Sequence, residues 1–261
     1  MFWFLFFIFG TIWGSFLNVV IFRLNKRKSI FFGRSFCPKC KHKLFWYDLI
    51  PLLSFIILGG KCRYCKKKIS WQYFFVEFAT GTLFALVAFL NLKDFSLVEV
   101  LNLVKLLYFT CVFIVIFVYD LRYYIIPDKI IIWGIAVAFS LNIAFHAIEQ
   151  NCYSIALDLI SSVLCALFFF LLFYLSKGKW IGGGDFKLVL FMGLVLGWPY
   201  ILIALLVAIN TGALVGILLI LLGKKTMKSE IPFGTFLSAA AVFVMLFGER
   251  ILGWYLGVFS L

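Results

Sequence analysis

Successive apolar runs of bilayer-crossing length leave this chain little choice of solvent. An α-helix needs roughly 20 apolar residues to cross a hydrocarbon core of about 30 Å. Runs near that length cover residues 1–22, 69–92, 97–119, 130–148, 153–176 and 200–222, and another runs from Phe233 to Phe247 with an apolar tail beyond. A shorter run, 187–198, precedes Pro199, which separates it from the next. With 65% hydrophobic and 13% charged residues, the 261-residue chain has too little polar surface for a water-soluble globule. The expected fold is all-α, a polytopic membrane protein of about eight transmembrane helices, with seven as the nearest alternative. The first run lacks a preceding basic residue and is too long for a cleaved signal, so it is expected to remain as a helix.

The net charge of +13 takes its meaning from its distribution. If the eight helices alternate across the bilayer, residues 23–68, 120–129, 177–187 and 223–230 share one side. These loops hold 21 of the 24 Lys and Arg residues, leaving Lys93, Lys105 and Arg250 elsewhere. The positive-inside rule then puts those loops in the cytoplasm and the N-terminus outside. Attraction to anionic headgroups accounts for the charge better than nucleic-acid binding does, and no nucleic-acid partner is expected.

Four of the seven cysteines have a pattern. Cys37-Pro-Lys-Cys40 and Cys62-Arg-Tyr-Cys65 are two CxxC knuckles in the first basic loop, separated by 21 residues. Two such knuckles offer four thiolates to one tetrahedral ion, and a reducing compartment disfavours a disulfide. The expectation is a structural Zn2+ held by Cys37, Cys40, Cys62 and Cys65, with an unmetallated redox pair as the alternative. His42, beside the first knuckle, reads as a surface residue. Cys111, Cys152 and Cys165 fall on predicted helices and read as small apolar side chains. Between the knuckles, residues 49–58 form an apolar stretch too short to span, expected to lie on the membrane face or against another helix. The chain therefore divides into a first transmembrane helix (1–24), a cytoplasmic four-cysteine module (25–68) and a second transmembrane bundle (69–261).

Ionisable groups at membrane depth are costly, which makes the 11 acids informative. Asp94, Glu99, Glu149 and Glu249 fall at predicted outer ends, and Asp48 and Glu230 lie in cytoplasmic loops. Glu77 and Asp158 lie inside helices near their ends, where either a functional or a structural role is open. Asp128 follows Pro127 and reads as a helix start. Asp120 closes the third run, and Asp185 follows Gly182-Gly183-Gly184; the charge-derived topology sets both at the cytoplasmic membrane level. Two carboxylates so placed can act as a dyad, one ionised to take a proton from water and the other protonated to polarise a carbonyl. The alternative is two boundary acids, Asp120 paired with Arg122 and Asp185 capping its helix. Three successive glycines leave space for a peptide to approach. A phosphate-cradling reading fails because no strand precedes them and no Gly-Lys-Ser/Thr ending follows. Asp120 lies at the C-terminal end of its helix and Asp185 at an N-terminal end, which suggests that Asp120 is the protonated member of such a pair; an Arg122 side chain turned back toward Asp120 argues the other way.

Gly182-x-Gly184-Asp185 resembles the GxGD motif of intramembrane aspartyl proteases, and Asp120 with Ile126-Pro127-Asp128 resembles the other aspartate segment of bacterial type IV prepilin peptidases. Residues 14–24, the knuckles with Trp46-Tyr-Asp-Leu-Ile-Pro51, and Ile231-Pro-Phe-Gly-Thr-Phe-Leu237 are similar to that family's first helix, cytoplasmic insertion and last-helix start. The resemblance implies that Asp120 and Asp185 are catalytic and that Gly182, Gly183 and Gly184 form the active-site loop of a bundle over 69–261. It also implies removal of the short basic leader of type IV prepilins or type II secretion pseudopilins at the cytoplasmic face of the bacterial inner membrane. N-methylation of the new terminus with S-adenosylmethionine follows from resemblance alone, with no donor-binding residue assigned. The rival readings are a GxGD protease for preflagellin-type or other membrane peptides without methyltransferase activity, and a transporter or assembly subunit.

Overall fold

The computed structural model describes every residue except 1, 27–28, 30–32, 95, 150–151, 227–228 and 260–261. Among the described residues the long elements are all helical: α1 (Phe2–Asn25), α2 (Leu53–Ile57), α3 (Trp71–Asn91), α4 (Leu97–Tyr123), α5 (Asp128–Glu149), α6 (Cys152–Leu175), α7 (Asp185–Leu196), α8 (Tyr200–Leu221) and α9 (Phe233–Phe259). A short 3-10 turn, Trp46–Leu49, precedes α2. Among the described residues seven helices are long and apolar enough to cross a membrane, and α7 is not one of them. The chain forms two compact units, Met1–Val115 and Ile116–Leu261, divided within α4.

In the first unit α1 and α3 pack antiparallel, Gly10 meeting Thr80 and Gly81 while Gly14 meets Glu77. A Cβ on Gly10 would lie 2.7 Å from the Thr80 carbonyl oxygen, and one on Gly14 would lie 2.7 Å from the Glu77 Cα. Helix association in lipid relies on such close approach, because burying apolar surface gains little when the solvent is itself apolar. Toward the end of α1, Asn18 donates to the carbonyls of Gly14 and Tyr73, and Gln72 donates to its side-chain oxygen. Residues 49–58 lie against α3 through the buried Phe55, whose ring meets those of Trp71 and Phe74 at 5.1 and 5.5 Å. Leu53, Ile56 and Ile57 stay exposed on the other side of this strap.

In the second unit the short α7 is the central element. Leu188, Val189, Phe191 and Met192 are fully buried, with α5, α6, α8 and α9 packed around the helix. Its 12 residues rise only about 18 Å, which explains why it falls short of an independent span. Walled off from lipid on most sides, it has no need of bilayer length. It runs antiparallel to α6: Phe186 packs on Phe170 and Phe173 at one end, Gly193 on Ser162 midway, and Gly197 on Asp158 at the other. Consequently α8 starts at the end of the unit opposite Asp185, and the chain reverses sides through a helix that is a truncated span.

Candidate functional site

The last turn of α4 carries Asp120, and the turn into α5 carries Ile126. Tyr124, with φ of 57°, ends α4 by donating its N–H to the Asp120 carbonyl, and Pro127 opens α5 by accepting from Ile130 and Ile131. Asp120 is 4% exposed, and its Oδ2 accepts the Thr235 N–H at 2.9 Å, with the Gly234 N–H as a further donor. These amides belong to the first turn of α9, where N–H groups lack partners within their own helix. The carboxylate thus caps a helix 115 residues further along the chain. The positive end of α9 opposes the negative end of α4 at the same carboxylate, a contribution outside the helix-end argument that assigned the proton to Asp120.

Asp185 opens α7 at 6% exposure, and its Oδ2 accepts the Gly182 N–H at 2.9 Å. Ile126 joins the two acids. Its side chain fills the space beside Gly184, where a Cβ would come within 2.8 Å of the Ile126 Cβ, and beside Gly234, where a Cβ would lie 2.8 Å from both its Cδ1 and Asp120 Oδ2. Around this one buried side chain the two carboxylates lie close enough for the charge of Asp120 to act on Asp185. Asp128, read from sequence as a helix start, opens α5 and also pairs with Lys187 of α7 at 2.7 Å. The backbone donors of Gly234 and Thr235 had a signal in Ile231-Pro-Phe-Gly-Thr, but spacing alone could not show which acid they serve.

The four cysteines come together in the first unit, their Sγ atoms all within 4.8 Å of one another and those of Cys37 and Cys65 4.0 Å apart. Four sulfurs about 2.3 Å from a tetrahedral ion would be separated by about 3.8 Å, so the cluster could hold a metal ion. Both knuckles have one geometry. Lys41 and Lys66, at φ of 60° and 55°, donate to the Cys37 and Cys62 carbonyls, while the Cys37 and Cys62 amides donate to the carbonyls of His42 and Lys67. Burial alone would push the Cys37 thiol up, but the Cys40 and Lys39 amides and neighbouring thiols bring it down to about 7. Cys40, despite the His42 amide, is raised by burial and neighbouring thiols to about 11. The cluster thus lowers one sulfur toward the thiolate, the form that ligates metal.

Asp48, read as a loop acid, organises the module: it accepts from the Phe45 N–H, Arg63 Nε and Tyr64 hydroxyl, so residues beside both knuckles converge on it. The His42 ring lies 3.7 Å from that of Tyr64, on the same framework. Glu77 accepts the Leu52 N–H at 2.9 Å and bonds Ser15, tying the strap to α1 and α3. Asp158 accepts the Trp198 N–H at 2.8 Å, and Glu99 accepts the N–H groups of Lys93 and Asp94, so each fixes a turn. Cys111 and Cys165 are half-buried, while the readings of Glu149 and Cys152 fall on side chains outside those described.

Comparison with known proteins places this chain in a family. Residues 8–91 match the bacterial peptidase A24 N-terminal domain, and residues 107–217 match the type IV leader peptidase family. A prepilin leader peptidase/N-methyltransferase of Legionella pneumophila is 31% identical, over 98% of this chain and 96% of its own length. Proteins of the same name from Aeromonas salmonicida and Bacillus subtilis are 32% and 31% identical, each over 96% of this chain, with 92% and 96% of their own lengths covered. No solved structure matches the chain significantly. Membrane-length helices, a four-cysteine cluster and two apposed aspartates thus meet a similarity that runs almost end to end, and the chain belongs to the type IV leader peptidase family.

Proposed function

We propose that this protein is an inner-membrane aspartyl endopeptidase that removes the short basic leader of type IV prepilins or type II secretion pseudopilins, and N-methylates the N-terminus so formed. The observation that carries the peptidase reading is the meeting of Asp120 and Asp185 around Ile126, each carboxylate fixed by backbone N–H donors. In this reading one carboxylate is ionised and takes a proton from the attacking water. The other, protonated, gives its proton to the scissile carbonyl oxygen; on collapse of the tetrahedral diol the first passes the proton it took from water to the leaving amine, and the second recovers its own from the diol hydroxyl. Two negative charges held so close disfavour double ionisation, which supplies the required asymmetry. Gly182, Gly183 and Gly184 are the loop along which the extended substrate lies, and the N–H of Gly182 orients Asp185.

The Cys37, Cys40, Cys62 and Cys65 cluster takes a structural Zn2+. Filling all four positions with cysteine leaves no open coordination site, so the ion holds residues 25–68 together and takes no part in peptide hydrolysis. S-adenosylmethionine is the methyl donor. The basic loops face the cytoplasm and the N-terminus lies outside, a sidedness supported by the reversal of the chain at α7. Within this arrangement residues 69–261 act as the protease bundle.

Purified protein in detergent, incubated with a prepilin, should yield the shortened pilin. Asp120→Asn and Asp185→Asn should each abolish the product while leaving thermal unfolding unchanged. Leader removal at more than a tenth of the wild-type rate by either folded variant would exclude the dyad.

A further inference from the structure

We propose that a basic groove in the cysteine module binds the phosphodiester of an anionic lipid headgroup. The groove, of about 540 Å³, is lined by Lys26, Arg34, Phe36, Pro38, Lys41 and Lys43. Its size falls within the roughly 300–1,000 Å³ of small-ligand sites. Four of the six lining residues are cations and none is acidic, so its chemistry is that of an anion site.

Neither the six lining residues nor the sequence around them supplies a free counter-charge. Residues 23–68 carry 13 Lys and Arg against one acid, Asp48, which is already engaged by Arg63 at 2.7 Å. The closest cations to the first knuckle therefore repel one another until an outside anion enters, and each contributes favourably when one does.

Position selects the source of that anion. Lys26 is the first residue beyond α1, a helix of membrane-spanning length, so the groove opens where the span ends and headgroup phosphates lie. Lys26 sits 4.4 Å over the Phe22 ring, and Phe22 packs edge-on against Phe36, joining the groove wall to the end of the span. Phe36 and Pro38 provide an apolar border suited to the glycerol and first methylenes of a lipid, which free phosphate lacks. A bound lipid phosphate would also lower the positive potential around the module, a benefit to any basic peptide that must come near.

The test uses the full chain, purified in detergent, exchanged against mixed phosphatidylcholine and phosphatidylglycerol, and examined by native mass spectrometry for retained lipid. The wild type should retain phosphatidylglycerol in preference to phosphatidylcholine, and millimolar inorganic phosphate should fail to displace it. Changing Lys26, Arg34, Lys41 and Lys43 to Gln should abolish that preference. Changing Lys61, Lys66, Lys67 and Lys68 to Gln, an equal loss of charge at the second knuckle, should preserve it. Equal loss in both variants would show diffuse attraction and overturn the site. Displacement by inorganic phosphate, or phosphate binding without lipid retention, would make the ligand a free anion and overturn the lipid assignment. Should the groove variant lose its module, seen as lost cysteine-bound metal, Arg34→Gln and Arg34→Lys decide. A fivefold weakening is expected for Gln, on the order of one surface cation's contribution, with retention for Lys; no weakening by Arg34→Gln refutes the proposal.

Discussion

Replacing Gly184 with Ala separates the geometry of the aspartate pair from the stability of the fold. The backbone there, with φ of −86° and ψ of −27°, is one that Ala adopts freely. Against the unfolded chain, Ala gains about 0.4–1 kcal/mol from lost backbone freedom. The new Cβ, however, would stand 2.8 Å from the Ile126 Cβ, where carbon atoms rest at roughly 3.5–4.0 Å. The Ile126 Cβ is fixed to the backbone, so no rotamer change clears the overlap. The α4–α5 turn or the start of α7 must move by about 1 Å, and the overpacking costs about 1–3 kcal/mol. A displacement of about 1 Å between catalytic groups lowers turnover on the order of a hundredfold. Gly183→Ala is the matched control, since its Cβ meets only the Phe173 ring at 3.4 Å, an ordinary contact. Single-turnover leader removal from a prepilin, with thermal unfolding in the same detergent, reads both effects. Gly184→Ala should be folded and about a hundredfold slow, and Gly183→Ala should stay within about threefold of wild type. Equal impairment in the two variants would mean that loop flexibility governs the rate and that the Ile126 contact does not.

Cys37→Ser or Cys62→Ser should lower bound zinc well below the wild-type value of about one ion per chain and loosen residues 25–68, read by elemental analysis and limited proteolysis; undiminished zinc in a variant lacking all four cysteines would rule out the site. The Asp48 carboxyl is held below its ordinary range because, although burial raises it, hydrogen bonds from Arg63, the Phe45 amide and Tyr64 outweigh that effect. A lowered folded pKa stabilises above the unfolded value and is lost as pH falls through the folded one, so Asp48→Asn should cost at most about 1 kcal/mol at pH 7, given the exposure of Arg63, and its difference from wild type should fade below about pH 4. Hydrogen exchange of the knuckle amides measures it, and a difference that persists undiminished at pH 3 would contradict the assignment. Gly10→Val should destabilise the α1–α3 pair by about 2 kcal/mol or more, whereas Gly253→Val, with nothing within 4 Å, should be silent in thermal unfolding; comparable losses at both positions would refute the close-packing argument.

Much of this was legible in the chain because hydropathy and charge act locally. Apolar runs located every long helix, and CxxC spacing identified the four sulfurs that the fold brings within 4.8 Å. The short run at 187–198 was harder: hydropathy registers an apolar helix without telling whether lipid or protein surrounds it, and α7 is surrounded by protein. Residues defined by long-range partners were the least visible. Glu77 and Asp158 left a choice between structure and function, and their backbone partners at Leu52 and Trp198 could not be read from spacing. Ile126 is one isoleucine among many until Gly184 and Gly234 close on it. The inference about Asp120 weighed the helix ends of the two aspartates and the nearby Arg122, but not α9, whose Thr235 amide the carboxylate also meets.

The capping of α9 by Asp120 has a bearing on how such an enzyme could be made safely. Translation proceeds at about 5–20 residues per second, so the partner amides of Asp120 emerge on the order of ten seconds after the carboxylate itself. Until α9 inserts, one member of the pair lacks the hydrogen bonds that orient it, and the nascent chain does not hold the two carboxylates in their final geometry. Insertion of α9 is then the activating event, and a chain truncated after α8 would enter the membrane as an inert protein.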